Sequence, residues 1–263
     1  MSTLSPEQID ALSEDLEAAE LEGRAVIKIT DEHPEMDFED AYAIQWATRR
    51  RKIARGHRMV GMKMGLTSHA KMRQMGVEEP IYGFLADYFQ RPEGEAIDVC
   101  TLIHPRVEAE IAFMTRAPLR GPGCHVGQVL ASTEFVMPAV EIIDSRYENF
   151  RFDLPSVIAD NASSSRFVTG GAIAGAQEMD LRTVGVVLEK NGEPVEVGAG
   201  AAVLNHPASS IALLANMLAA RGEELPAGSL ILSGGITAAA SVAAGDSVTL
   251  RAQGMGSVSL RFK

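Results

Sequence analysis

Apolar and polar positions change rhythm once along this 263-residue chain, from helical spacing to strand-like alternation. Ser5 ahead of Pro6 and Glu7-Gln8 makes an N-cap and first turn, which predicts a helix over residues 6–21. A second helix is expected from Asp37 through E-D-A-Y-A-I-Q-W-A-T-R-R-R-K-I-A-R-G. Ala41, Ile44, Ala47 and Ile53 form its apolar stripe and Gly56 its stop, and a loop containing His33-Pro34 precedes it. From Met59 onward the runs shorten, gain glycines and alternate: 59–67, 80–87, 106–114, 133–143, 167–173 and 182–198. Asn191-Gly192 inside the last of these predicts a hairpin turn. One later helix is expected from Pro207 to Gly222, followed by two closing strands joined through Gln253-Gly254-Met255-Gly256. Strands dominate without a regular βαβ alternation. The expected class is therefore α+β, a mixed or antiparallel β-roll over 58–263 with a helical extension over 1–57.

Composition narrows the functional classes. With 46% hydrophobic and 22% charged residues the chain reads as globular rather than disordered. A net charge of -11 argues against a nucleic-acid face, which needs clustered Lys and Arg. The basic run Arg49-Arg50-Arg51-Lys52 closes a helical pattern, so a solvated helix end is expected there. Cys100 and Cys124 form neither C-x-x-C nor a disulfide framework, the six histidines show no zinc spacing, and no apolar run reaches membrane-span length. A cytoplasmic setting without a membrane partner is expected.

The chemistry concentrates in three glutamates. Glu108 and Glu110 lie two apart in P-R-V-E-A-E-I-A-F, so a strand points both to one face. Glu141 lies in a second apolar run, F-V-M-P-A-V-E-I-I. One reading makes them exposed residues on a polar face. The other brings them to one pocket around a hard cation, Mg²⁺ or Mn²⁺, because buried glutamates need a partner. Lys63, between glycines and methionines, is either a solvated strand-edge residue or a charge set against an anion. In S-V-I-A-D-N-A-S-S-S-R-F, Asp160, Asn161 and the serines either cap and turn the chain or supply donors to a substrate carboxylate. Ser233, Gly234, Gly235 and Thr237 at a strand end allow the same two readings, a structural turn or an anion-holding loop.

Together, G-M-K-M-G-L-T-S, S-H-A-K-M-R-Q-M-G-V, P-I-Y-G-F-L-A-D, P-R-V-E-A-E-I-A-F, V-E-I-I-D-S-R-Y-E-N-F, A-D-N-A-S-S, G-A-G-A-A-V-L and the C-terminal G-x-G-S-V resemble one family in the same order along nearly the whole chain. It is the 4-oxalocrotonate decarboxylase and 2-hydroxypenta-2,4-dienoate hydratase family, within the fumarylacetoacetate-hydrolase-like superfamily. The resemblance implies a mixed β-sandwich roll, Mg²⁺ on Glu108, Glu110 and Glu141, an active-site lysine at Lys63 and a polar contribution from Ser163. It implies a small 2-oxo dicarboxylic acid as substrate, specifically decarboxylation of 2-oxo-3-hexenedioate in aromatic meta-cleavage catabolism. Hydration of the dienoate product is the alternative enzyme reading. A weakly active, partner-binding subunit is the alternative of another class. Expected partners are a vinylpyruvate hydratase and further copies of this chain. Arg146 and Arg166 are expected to be structural ion-pair residues before distal-carboxylate ligands.

Overall fold

The computed structural model describes residues 3–68, 72–73 and 79–263. Of the S-H-A-K-M-R-Q-M-G-V segment, only Ser68, Met72 and Arg73 fall among them. The chain opens with α1 (Pro6–Glu22), a short α2 (Ile29–Glu32) and α3 (Phe38–Ala54). Ser5 and Gln8 close a capping box on α1, where Ser5 is the N-cap read from the sequence, and Asp37 and Asp40 close one on α3.

Two β-sheets follow. The first is ordered β2 (Ile81–Ala86), β1 (Met59–Gly65), β9 (Leu230–Leu232), β4 (Arg106–Thr115), β5 (Thr133–Ile143) and β6 (Ser164–Thr169), with β10 (Ala240–Ser241) also pairing β4. The second is ordered β3 (Ala96–Ile97), β12 (Gly256–Phe262), β11 (Ser247–Ala252), β7 (Gly185–Lys190) and β8 (Glu193–Ala199). The pairs β1–β9 and β3–β12 are parallel and the rest antiparallel, so the roll is mixed. The sheets pack against each other, with β11 and β12 on β5 and β7 on β4. The parallel β1–β9 contact is close: a Cβ at Gly61 would stand 1.6 Å from the Leu230 carbonyl oxygen.

The hairpin at Asn191-Gly192 joins β7 to β8, both turn residues having positive φ (55° and 86°). The later helix is α6 (Pro207–Ala219), capped by the His206 side chain. It packs on α4 (Val126–Ser132), a short helix that the apolar pattern did not reveal. The polar stretch after β5 holds α5 (Leu154–Ala159), started by Asp153. Among the described residues, no helix is long and apolar enough to cross a membrane.

The basic run on α3 departs from expectation. Its buried stripe is Ala41, Ile44, Gln45, Thr48 and Lys52, spaced as one helical face, whereas Ile53 lies a residue off that face and is exposed. Lys52 is therefore buried, and α1 supplies its counter-charges: Glu20 at 2.6 Å and Glu17 at 3.7 Å. Arg51 reaches Asp10, Glu14 and Glu17 on the same helix. The Arg51-Lys52 end of the run is an interhelical ion-pair seam, while Arg50 is exposed and Arg49 stacks over Trp46. Burial depresses the Lys52 pKa, with Glu20 pulling the other way. Removing one partner of a buried pair leaves the other charge stranded, so Lys52→Met should destabilise the protein by about 3 kcal/mol. The shift in urea midpoint measures this. Glu20→Gln added to Lys52→Met should recover part of the loss, and an unchanged midpoint in the single variant would show that the seam does not hold the helices.

Candidate metal centre

Strand β4 alternates two kinds of side chain. Val107, Ala109, Ile111 and Phe113 enter the apolar core, while Arg106, Glu108 and Glu110 share the opposite face. Antiparallel pairing sets Glu108 directly across from Glu141 on β5. The three carboxylates thus meet by strand parity and register alone, with ligand oxygens within 4.8 Å of one another. All three are buried, Glu110 and Glu141 completely. Exposed strand glutamates, the bland reading, are ruled out.

Lys63 on β1 is also buried, with its Nζ 3.0 Å from Glu141 Oε2 and donating to the Ala162 carbonyl at 3.1 Å. Among the described residues, the Lys63 ammonium faces three carboxylates, which leaves this group short of positive charge. Burial and the charge of Glu141 push the Glu110 carboxyl well above its usual range. Burial raises Glu141 as well, against the pull of Lys63. Burial also opposes the Lys63 ammonium, but Glu141, Glu110 and Glu108 outweigh it, and its pKa rises. Glu110 Oε2 accepts the Gly234 N–H at 2.8 Å and Glu141 Oε2 faces the Lys63 ammonium, while Glu110 Oε1 and Glu141 Oε1 have no hydrogen-bond donor. Buried carboxylate oxygens in that state are costly unless something positive binds them. Three hard oxygen donors suit Mg²⁺ or Mn²⁺, so the residues present fit such an ion.

The other predicted residues divide by position. Gly235 lies against Glu108, and a Cβ there would stand 2.9 Å from the Glu108 carboxyl and push it from its place. Gly234 contributes its N–H to Glu110, as above. The Thr237 hydroxyl accepts from Ala109 N at 3.4 Å, which braces β4. Ser233 is buried, its carbonyl receives Ser210 Oγ, and its own hydroxyl has no hydrogen-bond partner. Ser163 faces the cavity next to the cluster and its hydroxyl donates to Asp160 Oδ2 at 3.4 Å.

Asn161 is spent differently from the donor reading. Its Oδ1 takes the Phe84 N–H at 2.8 Å and its Nδ2 gives to the Phe84 carbonyl at 3.0 Å, so the amide clamps β2. Asn161, Ala162 and Ser163 have successive φ values of 50°, 51° and 55°, a left-handed run that L-residues rarely adopt. Behind it, Arg146 pairs with Asp160 and also donates to the Asp144 and Ser164 carbonyls. Burial pushes the Asp160 carboxyl up to about 7, with Arg146 pulling it back. Arg166 bonds the Ser165 carbonyl and approaches Glu20, so both arginines are structural, as expected.

A cavity of about 80 Å³ opens on the cluster. Lys63, Glu108, Thr67 and Ser163 are polar members of its lining, and Leu66, Ile81, Ile143, Phe150, Phe152 and Val157 are apolar ones. The apolar wall was missed in the sequence; its signal was the aromatic spacing of Y-E-N-F-R-F after Glu141. A larger hollow of about 540 Å³, walled by Trp46, Arg49 and several methionines, contains none of the three carboxylates.

The chain is similar to several named proteins over nearly its whole length. Over 260 residues it is 65% identical to 4-oxalocrotonate decarboxylase of Pseudomonas sp. (strain CF600), covering 99% of this chain and 98% of the relative. It is 41% identical over 241 residues to 2-hydroxyhexa-2,4-dienoate hydratase of Comamonas testosteroni, covering 91% of each. A solved structure of 4-oxalocrotonate decarboxylase from Pseudomonas putida G7, complexed with magnesium and adipate, superposes with a TM-score of 0.98 at 63% identity over 100% of both chains. The profile of the fumarylacetoacetate (FAA) hydrolase C-terminal family matches residues 66–263. On sequence and fold alike, the chain belongs to the fumarylacetoacetate hydrolase family.

Proposed function

We propose that this chain is a Mg²⁺-dependent carboxy-lyase that converts 2-oxo-3-hexenedioate (4-oxalocrotonate) to 2-hydroxypenta-2,4-dienoate and CO₂ in aromatic meta-cleavage catabolism. The observation that carries the reading is the buried cluster of Glu108, Glu110 and Glu141 with Lys63 at 3.0 Å from Glu141. Choice of substrate is supported by 65% identity to a decarboxylase against 41% to a hydratase. Adipate, a six-carbon diacid like the proposed substrate, accompanies magnesium in the similar solved structure.

The substrate is a vinylogous β-keto acid, whose distal carboxylate can leave once electrons can flow through the alkene to the 2-oxo oxygen. Glu108, Glu110 and Glu141 would hold the cation, which supplies Lewis-acid polarisation of that carbonyl. The Gly234 N–H holds Glu110 in place for this task. Lys63 Nζ, fixed between Glu141 and Ala162, adds positive charge where the dienolate develops and can deliver a proton to it. Ser163 adds a hydroxyl at the cavity wall. Leu66, Ile81 and Val157 exclude water and offer no donor to hold a departing carboxylate. No described side chain before residue 58 lines this cavity, which supports 1–57 as an extension of a catalytic unit over 58–263. The product is a reactive enol. Hand-over to a vinylpyruvate hydratase, and assembly of this chain into a homo-oligomer, form part of the same proposal. A cytoplasmic setting fits the free Cys100 and Cys124.

Three outcomes are expected. The purified protein with Mg²⁺ should release CO₂ from 2-oxo-3-hexenedioate and accumulate the dienoate, followed by gas release and ultraviolet absorbance. Hydration of added dienoate, with no CO₂ from the diacid, would establish the hydratase reading instead. Glu108→Gln, Glu110→Gln and Glu141→Gln should each weaken Mg²⁺ binding at least tenfold by calorimetry. Two variants with unchanged affinity would remove the site assignment. Lys63→Met keeps approximate volume and removes the charge, so kcat should fall by about 10²–10³ with a smaller change in KM. A raised KM at unchanged kcat would make Lys63 a binding residue only.

A further inference from the structure

Among the described residues, one cation near the cavity, Arg106, has no anionic partner. Arg106 lies two residues before Glu108 on the same face of β4, opposite Ile143, just as Glu108 lies opposite Glu141. Its guanidinium stacks over the Phe150 ring, 4.0 Å from the centroid. Phe150 and Ile143 both line the cavity. Among the described residues the half-buried Arg106 side chain has this stacking contact and no ion pair or hydrogen bond, although it carries five donors. His104 meets the same ring edge-on, with centroids 6.4 Å apart, and its Nε2 is buried without a hydrogen-bond partner. Asp144, the nearby acid, is occupied by the N–H groups of Ile103 and His104. Phe150 itself has φ of 58°, a left-handed conformation that is an outlier for a bulky aromatic.

We propose that Arg106, with His104 beside it, receives the distal carboxylate of the substrate and so sets a preference for diacids. This deepens the decarboxylase reading and rests on it. The dimensions agree. Two residues along a strand span about 7 Å. The terminal carbons of an extended six-carbon diacid lie about 6 Å apart, by ordinary carbon–carbon bond lengths. A substrate with its 2-oxo acid end at Glu108, Glu110 and Glu141 therefore brings its far carboxylate to the level of Arg106. Among the described residues, Lys63 is engaged with Glu141, Arg146 with Asp160 and Arg166 with the Ser165 carbonyl. The leaving group becomes neutral CO₂, so the contact with Arg106 weakens as the carbon–carbon bond breaks. Arg106 thus contributes to substrate affinity and selectivity and not to kcat.

Calorimetric titration of the Mg²⁺-loaded protein with 2-oxoadipate and with 2-oxohexanoate tests this, since the two differ only in the distal carboxylate. The native protein should bind the diacid roughly 10- to 100-fold more tightly, the range expected for charge-assisted hydrogen bonds. Arg106→Met should abolish that preference and leave 2-oxohexanoate affinity unchanged, which also reports an intact fold and metal end. Arg106→Lys should keep part of the preference, because it keeps the charge and loses the planar fork. The proposal is overturned if the native protein shows no preference, or if either variant retains the full preference. It is equally overturned if affinity for both ligands falls in parallel in Arg106→Lys. Absence of CO₂ release from 2-oxo-3-hexenedioate by the native protein would sink the decarboxylase reading separately, whatever the titrations give.

Discussion

Glu108, Glu110 and Glu141 place three carboxylates in an interior where the Lys63 ammonium is their buried counter-charge, and much of the surrounding structure serves that arrangement. Like charges at such separations repel strongly once water is excluded. The fold meets this by fixing the carboxylates on two strands of a sheet whose register admits no slippage. A one-residue shift of β4 against β5 would turn Glu108 and Glu110 into the core and bring Val107 and Ala109 out. The remaining deficit of positive charge, with Glu110 Oε1 and Glu141 Oε1 left undonated, is what a divalent ion satisfies.

Lys63 depends in turn on a strained segment. Its second contact, the Ala162 carbonyl, sits in the middle of three left-handed residues. Such a run costs of the order of 1–2 kcal/mol per residue and persists only when its surroundings over-determine it. Here the surroundings are the Asn161 clamp on Phe84 and the Arg146–Asp160 pair. Gln45 on α3 reinforces them by donating to the Tyr82 and Ile158 carbonyls, which ties the N-terminal helices to β2 and α5. Side chains without a role in the chemistry thus hold the atom that orients the lysine.

Legibility followed the range of the physics involved. The Ser5 N-cap, the Asn191-Gly192 turn and the E-x-E parity are local rules, and the structure uses each as read. The identity of what lies opposite is not local. Lys52 reads as a solvated helix end until α1 brings Glu17 and Glu20 against it. Asn161 reads as a donor for a ligand until β2 offers a main chain of matching spacing. Arg106 obeys the same parity rule as the glutamates, but the parity gains meaning only beside Phe150, which an irregular loop delivers. The helix at Val126–Ser132 is too short for its periodicity to stand out from the flanking loops.

The tight parallel seam between β1 and β9 has a bearing on how this centre tolerates change. Gly61 stands beside Leu230, and Lys63 beside Leu232 two steps along the same pairing. Any side chain at position 61 forces the strands apart, because even a methyl group overlaps a carbonyl oxygen. That displacement would carry the ammonium relative to the carboxylates on β4 without altering a charged residue. Reactivity here is therefore adjustable through strand spacing, and variation at an uncharged position two residues from the lysine can retune the electrostatics of the centre.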